Sequence, residues 1–361
     1  MKLKLPIIFL WLIGPASFAQ ITFDLKNSQL RLQKADFILE EVIDLRPLKN
    51  DFIGEIYVSD RKTERVKINK GIEKGILAYY SKIIPNNVQA PRLKIEIKNL
   101  SISENKISND KIEGKIKFDL TAFTIGANGI KPLCNSRNSG QYTRSLSSAT
   151  ISNIQAQLQV SLDNGLNFIH QYIQKNKVKL EVFAKQSQVI IKPFSSNFNK
   201  DTVYYQERKV TWNDFLGQVR SQSKYGAAIY SSFGINSKMF VENGVIKIEV
   251  TPSVFTDKKI SWAKAEIKND YSLKHEQLHF DICYLMALKF LKTIKVLKAE
   301  SLDDLSSMIQ YEYLEFYKKT HELQEQYDEE TNHSILKEQQ KNWEIQINKE
   351  IKEFDLKEIF D

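Results

Sequence analysis

Two hydrophobic periods run through this chain, and the points where one gives way to the other predict its elements. From Leu93 to Leu100, the apolar residues Leu93, Ile95 and Ile97 alternate with Lys94, Glu96 and Lys98, the period-2 pattern of a half-buried strand. Ile116, Phe118 and Leu120 repeat that pattern between Gly114 and Ile125, after the polar turn Ser108-Asn109-Asp110. Residues 36–46 lean the same way and end in the turn-prone Asp44-Leu45-Arg46-Pro47. Helical spacing takes over from Val66 to Ile84, where Ile68, Ile72, Ile76, Leu77 and Tyr80 share one side. It returns from Thr150 to Lys175 through Ile154, Leu158, Leu162, Leu166, Ile169 and Ile173. The run from Leu133 to Ser148 is polar and predicts a loop. Residues 20–180 therefore predict an α+β module with a binding or positioning role, since they carry no recognisable chemistry.

Residues 181–207 predict a connector, with the polar Pro193-Phe194-Ser195-Ser196-Asn197 near its middle. Residues 208–361 predict a second α+β domain. Thr211 followed by Asp214 has the spacing of a capping box and predicts a helix start. Strands are expected at 227–232, 238–241 and 245–252, with Glu242-Asn243-Gly244 as a hairpin turn. Leu273 to Leu291 contains no Gly or Pro and is apolar around most of its circumference past His279, as a central helix would be. Two more helices are expected at 302–326 and 333–354, separated by the polar segment Tyr327 to His333.

Residues 1–19 predict an export leader: Lys2 and Lys4 precede the apolar stretch Pro6 to Ile13, and Ser17-Phe18-Ala19 is a small-x-small cleavage site. Its removal would place the product in the periplasm or outside the cell. The 342 residues left (361 − 19) exceed the size at which one core stops growing, which favours two domains. No later run approaches the roughly 20 apolar residues that span a bilayer, so no transmembrane anchor is expected. The net charge of +8 falls to +6 without Lys2 and Lys4 (8 − 2), and its basic residues are scattered. Without a basic stripe interleaved with aromatics, nucleic acid is not an expected partner. Cys134 and Cys283 read as separate thiols, which leaves stability to the cores.

The chemistry concentrates in His275-Glu276-Gln277-Leu278-His279. Two histidines four apart on a helix are separated by only about 40° of rotation, so both imidazoles reach one metal ion. Glu276 points to the side, where it can act on water without becoming a ligand. A catalytic zinc needs a third protein ligand. His170 lies beside Phe168 and Ile169 and reads as an ordinary helical residue, and His321 sits in a charged helix. His333 stands at a loop–helix junction near Asp328, while Asp328 or Glu329 could serve instead.

Residues from about 208 to 345 resemble the bacterial domain-of-unknown-function family numbered 922, regarded as secreted zinc peptidases. The matching pieces are Val210 to Gly217 (apolar, then Thr-Trp-x-Asp-Phe-x-Gly), Ser261-Trp262, Leu273 to Asp281, and Tyr327 to His333. Family members often carry Gly at the position of Leu278 and after the final histidine, where this chain has Ser334. The resemblance implies a zincin-like domain with a small antiparallel sheet, a central helix and two long helices behind it. It also implies Zn²⁺ held by His275, His279 and His333. The expected activity is metallopeptidase hydrolysis of a peptide, protein or cell-wall peptide, with Glu276 as general base and Tyr327 or His321 donating to the developing oxyanion. The alternative is a non-catalytic, zinc-stabilised envelope scaffold. The N-terminal module would dock an envelope protein partner.

Overall fold

Leu93, Ile95, Ile97, Leu100 and Ile102 are all buried along one strand, and a bulge at Ile97/Asn99 lets the apolar face stay inward when the alternation slips by one. The computed structural model describes residues 20–360 apart from 33, 48–49, 86, 88, 127–128, 148–149 and 197–198, so the expected leader lies outside the described residues. The fold is mixed α/β with several sheets, and the chain divides into two compact units at Asn176/Lys177.

The first unit contains β1 (Gln20–Phe23), β2 (Ile38–Asp44), β3 (Phe52–Ser59), β4 (Lys62–Ile68), α1 (Ile72–Tyr80), β5 (Arg92–Lys106), β6 (Lys111–Gly126), β7 (Gly129–Ser145) and α2 (Ile151–Asn176). One sheet runs in the order β1-β4-β3-β5-β6-β7, with β2 paired in parallel to β5. The six apolar residues expected to share a face of α2 are all fully buried. Gly165 lets that helix approach closely: a Cβ there would sit 2.7 Å from the Phe118 ring. Under the sheet, the Arg144 guanidinium donates to both Glu104 oxygens at 2.7 Å and to Tyr57 O, so a fully buried charge pair is also hydrogen-bonded.

Two expectations fail in this unit. The predicted helix 66–84 begins only at Ile72, because Val66 and Ile68 complete strand β4 and the left-handed turn at Lys70 (φ 66°) and Gly71 (φ 78°) separates the two elements. Apolar residues two and four apart fit both periods, which hid the break. The polar run 133–148, expected as a loop, forms most of edge strand β7. Its inward positions carry small polar residues satisfied by other means: Ser136 is buried, and Asn138 Nδ2 donates to Ser161 O on α2 at 2.8 Å. A strand so covered needs no hydrophobic alternation.

The second unit contains β8 (Gln186–Ile191), β9 (Thr202–Tyr204), β10 (Ala227–Ala228), β11 (Ser231–Glu242), β12 (Val245–Asp257), β13 (Trp262–Ala263), α3 (Asp270–Lys295), α4 (Leu302–Thr331), α5 (Lys337–Glu353) and α6 (Leu356–Phe360). β12 is central: it pairs antiparallel with β11 and β9 and parallel with β8. β8 and β9 fall within the stretch 181–207 expected as connector, which thus contributes strands to this sheet. β11 and β12 meet at Asn243 (φ 53°) and Gly244 (φ 73°), a two-residue turn with both φ values positive, matching the right-handed strand twist. The Thr211 capping box forms, but around a single short turn, Trp212–Asp214, in place of a full helix. Helix α3 starts where the Asn269 side chain accepts from Ser272 N, and past His279 it is buried almost all round, against α4, α5 and the β11–β12 sheet.

Candidate metal centre

Helix continuity decides what the site is made of. Tyr327 to Thr331, expected in a loop, instead close α4, which ends at Asn332 in the left-handed conformation. Asp328 is thereby fixed on a helical wall opposite α3. His275 Nε2 lies 3.0 Å and His279 Nε2 3.1 Å from the same oxygen, Asp328 Oδ1. These three ligand atoms lie within 4.8 Å of one another, the metal-compatible cluster found among the described residues. Around a tetrahedral zinc at about 2.0–2.1 Å from each ligand, donor atoms sit roughly 3.3 Å apart, so the observed spacings fit such an ion.

Both rings are buried, at 4% and 7% exposure. Tyr327, on the turn behind them, stacks on His275 at 4.6 Å and meets His279 edge-on at 4.9 Å, with Trp343 of α5 behind it. Their Nδ1 atoms are buried and make no hydrogen bond of good geometry. The charges are arranged asymmetrically. Burial lowers the His275 pKa below its usual value despite Asp328. At His279 burial acts the same way but is outweighed by Asp328 and Glu276, and the pKa rises. Burial alone would raise Asp328, yet hydrogen bonds with both rings hold its carboxyl well below the normal range.

Glu276 is 6% exposed. Its Oε2 accepts from Ile229 N at 2.9 Å, and burial pushes its pKa up to about 7. A cleft of about 850 Å³ opens over these groups, walled by the segment 224–232, by α3, and by a polar stripe of α4 comprising Tyr317, His321, Gln324 and Asp328.

The remaining expected residues separate. His333 sits in the Asn332–Ser334 turn, half-buried against the Tyr225 ring at 4.3 Å, with Nδ1 3.5 Å from Asp328 Oδ1; it borders the cluster without joining it. Tyr327 is fully buried and its hydroxyl donates to His275 O at 3.4 Å, so it supports the histidines from beneath and does not face the cleft. His321 lines the cleft beside Tyr317. His170 lies in the first unit, near Phe37. Asp281 accepts from Gln277 Nε2 and Tyr205 OH, and Gln277 Oε1 accepts from Val210 N, which ties the 205–210 segment to α3. Asp328 was legible only as an alternative ligand; its helical register, four residues past Gln324, was the missing signal.

Of the segments quoted for the family resemblance, Val210 to Gly217 and Tyr327 to His333 bond to α3 or its cap, and Ser261-Trp262 joins the strand at the cleft. Trp212 Nε1 donates to Asn269 O at the helix N-terminus, Arg208 grips Asp214 with two bonds of 2.7 Å, and Ser261 Oγ accepts from Tyr230 N beside the cleft.

No family model and no curated protein matches the chain. Among solved structures, similarity extends to protein XCC0632 from Xanthomonas campestris, of family-model DUF330, an uncharacterised family. That alignment has a TM-score of 0.27 and 7% identity, covering 44% of this chain and 96% of that one. A second match, an uncharacterized protein, has a TM-score of 0.23 and 8% identity over 43% of this chain and 99% of that one. At these scores neither bears on the fold or activity of this chain.

Proposed function

We propose that the protein is an exported zinc-dependent metallopeptidase whose chemistry resides in the second unit. The observation that carries this reading is the convergence of His275 Nε2, His279 Nε2 and Asp328 Oδ1 in a cleft beside Glu276, a carboxyl brought to about 7. The resemblance to family 922 supports it, because two of its quoted segments, Val210 to Gly217 and Tyr327 to His333, bond to α3 or its cap.

In this reading His275, His279 and Asp328 hold the ion, and His333 stands beside Asp328 at the rim. Zinc there would supply Lewis acidity, polarising the scissile carbonyl and bringing the pKa of a water from about 15.7 toward ~7. Glu276, buried at the cleft wall, is the group that would take a proton from water and deliver it to the leaving amine. The Ile229 N–H fixes its carboxylate. Tyr327 keeps the rings in place, which leaves His321 on the cleft wall as the donor to the developing oxyanion. The substrate is a peptide, a protein or a cell-wall peptide, and the first unit docks an envelope protein partner.

A second reading has its own support: His333 Nδ1 lies only 3.5 Å from Asp328 Oδ1, so a small shift would close a four-ligand, structural site in a non-catalytic envelope scaffold. Incubating the zinc-loaded protein with a peptide library and with cell-wall peptides separates the two. The peptidase reading requires cleavage by the native chain that Glu276→Gln abolishes while keeping its zinc. Zinc retention with no cleavage of either substrate class would give the scaffold reading instead.

A further inference from the structure

Where α4 turns into α5, three consecutive residues other than glycine are left-handed: Asn332 (φ 44°), His333 (φ 48°) and Ser334 (φ 73°). A Cβ makes that conformation costly, so such residues normally enter it singly. Lys70 and Asn243 do so here, each beside a glycine. The triplet is held by its surroundings. His333 N donates to Asp328 O at 2.8 Å, Thr331 O accepts from both Ile335 N and Leu336 N, and the Tyr225 ring lies 4.3 Å from the His333 ring. Strain of this kind clusters where function needs a side chain in a particular place. What the turn presents is Ile335, 66% exposed and yet part of the wall of the cleft that holds the metal cluster. Tyr225 and Ile267 line the same cleft, and contacts tie both to that turn. Tyr225 is joined to it through His333; Ile267 lies against Gly226, where a Cβ would come 2.8 Å from Ile267 Cγ2.

We propose that Tyr225, Ile267 and Ile335 form the subsite for a large apolar side chain of the peptide substrate, and that Ile335 determines this specificity. The inference rests on the peptide-hydrolysis reading for its class of ligand and names the side chain that the cleft selects. Apolar surface that water covers in the free chain gains by burial against Leu, Ile or Phe, and gains nothing from Ser or Glu. His333 Nδ1 is 3.5 Å from Asp328 Oδ1, so the subsite adjoins the metal cluster and holds a substrate residue near the bond to be cut.

Equilibrium binding to the metal-free full chain tests it, with capped, dye-labelled hexapeptides of Gly and Ser whose central residue is Leu, Ser or Glu. The Leu probe should bind about 10–200-fold more tightly than the Ser probe, and Ile335→Ser should reduce that ratio to a few-fold. Leu336→Ser is the control: Leu336 is also exposed but does not line the cleft, so this variant should keep the native ratio. Equal binding of the Leu and Ser probes, an unchanged ratio in Ile335→Ser, or an equal fall in both variants would overturn the subsite. Preference for the Glu probe would overturn it too, and would assign the selection to Lys224 on the cleft wall. The zinc-loaded chain should cut the Leu probe fastest. Selective binding with no cleavage of any probe would overturn the function proposed above and leave the subsite standing.

Discussion

Replacing Glu276 by Gln should do opposite things to hydrolysis and to stability. Gln keeps the shape and an oxygen for the Ile229 N–H, but it cannot ionise. In the metal-free protein the native carboxyl titrates at about 7 against an ordinary 4.5, because it is buried. A folded pKa raised above the unfolded one means that the folded state holds its proton more tightly, so the native protein loses stability as pH climbs from about 4.5 to 7. At 1.36 kcal/mol per pKa unit, that difference costs about 3 kcal/mol above pH 7, all of it relieved in Glu276→Gln. For a unit of this size, 1 kcal/mol moves the melting temperature by about 2–4 °C, so the chelator-treated variant should melt roughly 6–12 °C higher at pH 8 and nearly level with the native chain at pH 4.5. Calorimetry across that range reads it. A gap between the two proteins that does not widen with pH would refute the buried-base argument. Zinc-loaded Glu276→Gln should meanwhile lose about 10²–10⁴-fold in peptide hydrolysis.

Asp328→Ala should reduce zinc affinity by more than the roughly 10–100-fold of a lost outer-shell partner, and His333→Ala by less; chelator competition on both variants checks the order, and the reverse order would restore His333 as the third ligand. Tyr327→Phe should keep both zinc and hydrolysis within a few-fold, because its hydroxyl meets a backbone carbonyl beneath the rings; kinetics that collapsed with zinc retained would put that hydroxyl back in the mechanism. In the first unit, Arg144→Met strands the fully buried Glu104 carboxylate and should cost about 3–5 kcal/mol in denaturant unfolding. A loss under about 1 kcal/mol would show that the pair does not hold the sheet.

What could be read in advance follows from where hydrophobic burial is the only force at work. Helix α2 and the strand pair β5–β6 bury one face each in a regular period, and their apolar residues announced them. Strand β7 was hidden because its inward positions are satisfied by Asn138, Ser136 and a helix backbone, which a polar sequence does not distinguish from a loop. The end of α4 was hidden for a related reason: Asp328 and Glu329 are polar because they line the cleft, and the buried Tyr327 and Thr331 direct their hydroxyls to backbone carbonyls, so polarity there does not mean that the helix stops. His275, Glu276 and His279 were legible because four-residue spacing alone puts two imidazoles on one face, whatever lies opposite. The partner across the cleft depends on the register between α3 and α4, which is a tertiary property.

Elemental mass spectrometry of the purified chain after reconstitution with zinc tests the central claim most directly, with His279→Ala beside it. The account predicts about one zinc per native chain and essentially none in the variant. No zinc in the native chain, or equal zinc in both, would contradict it.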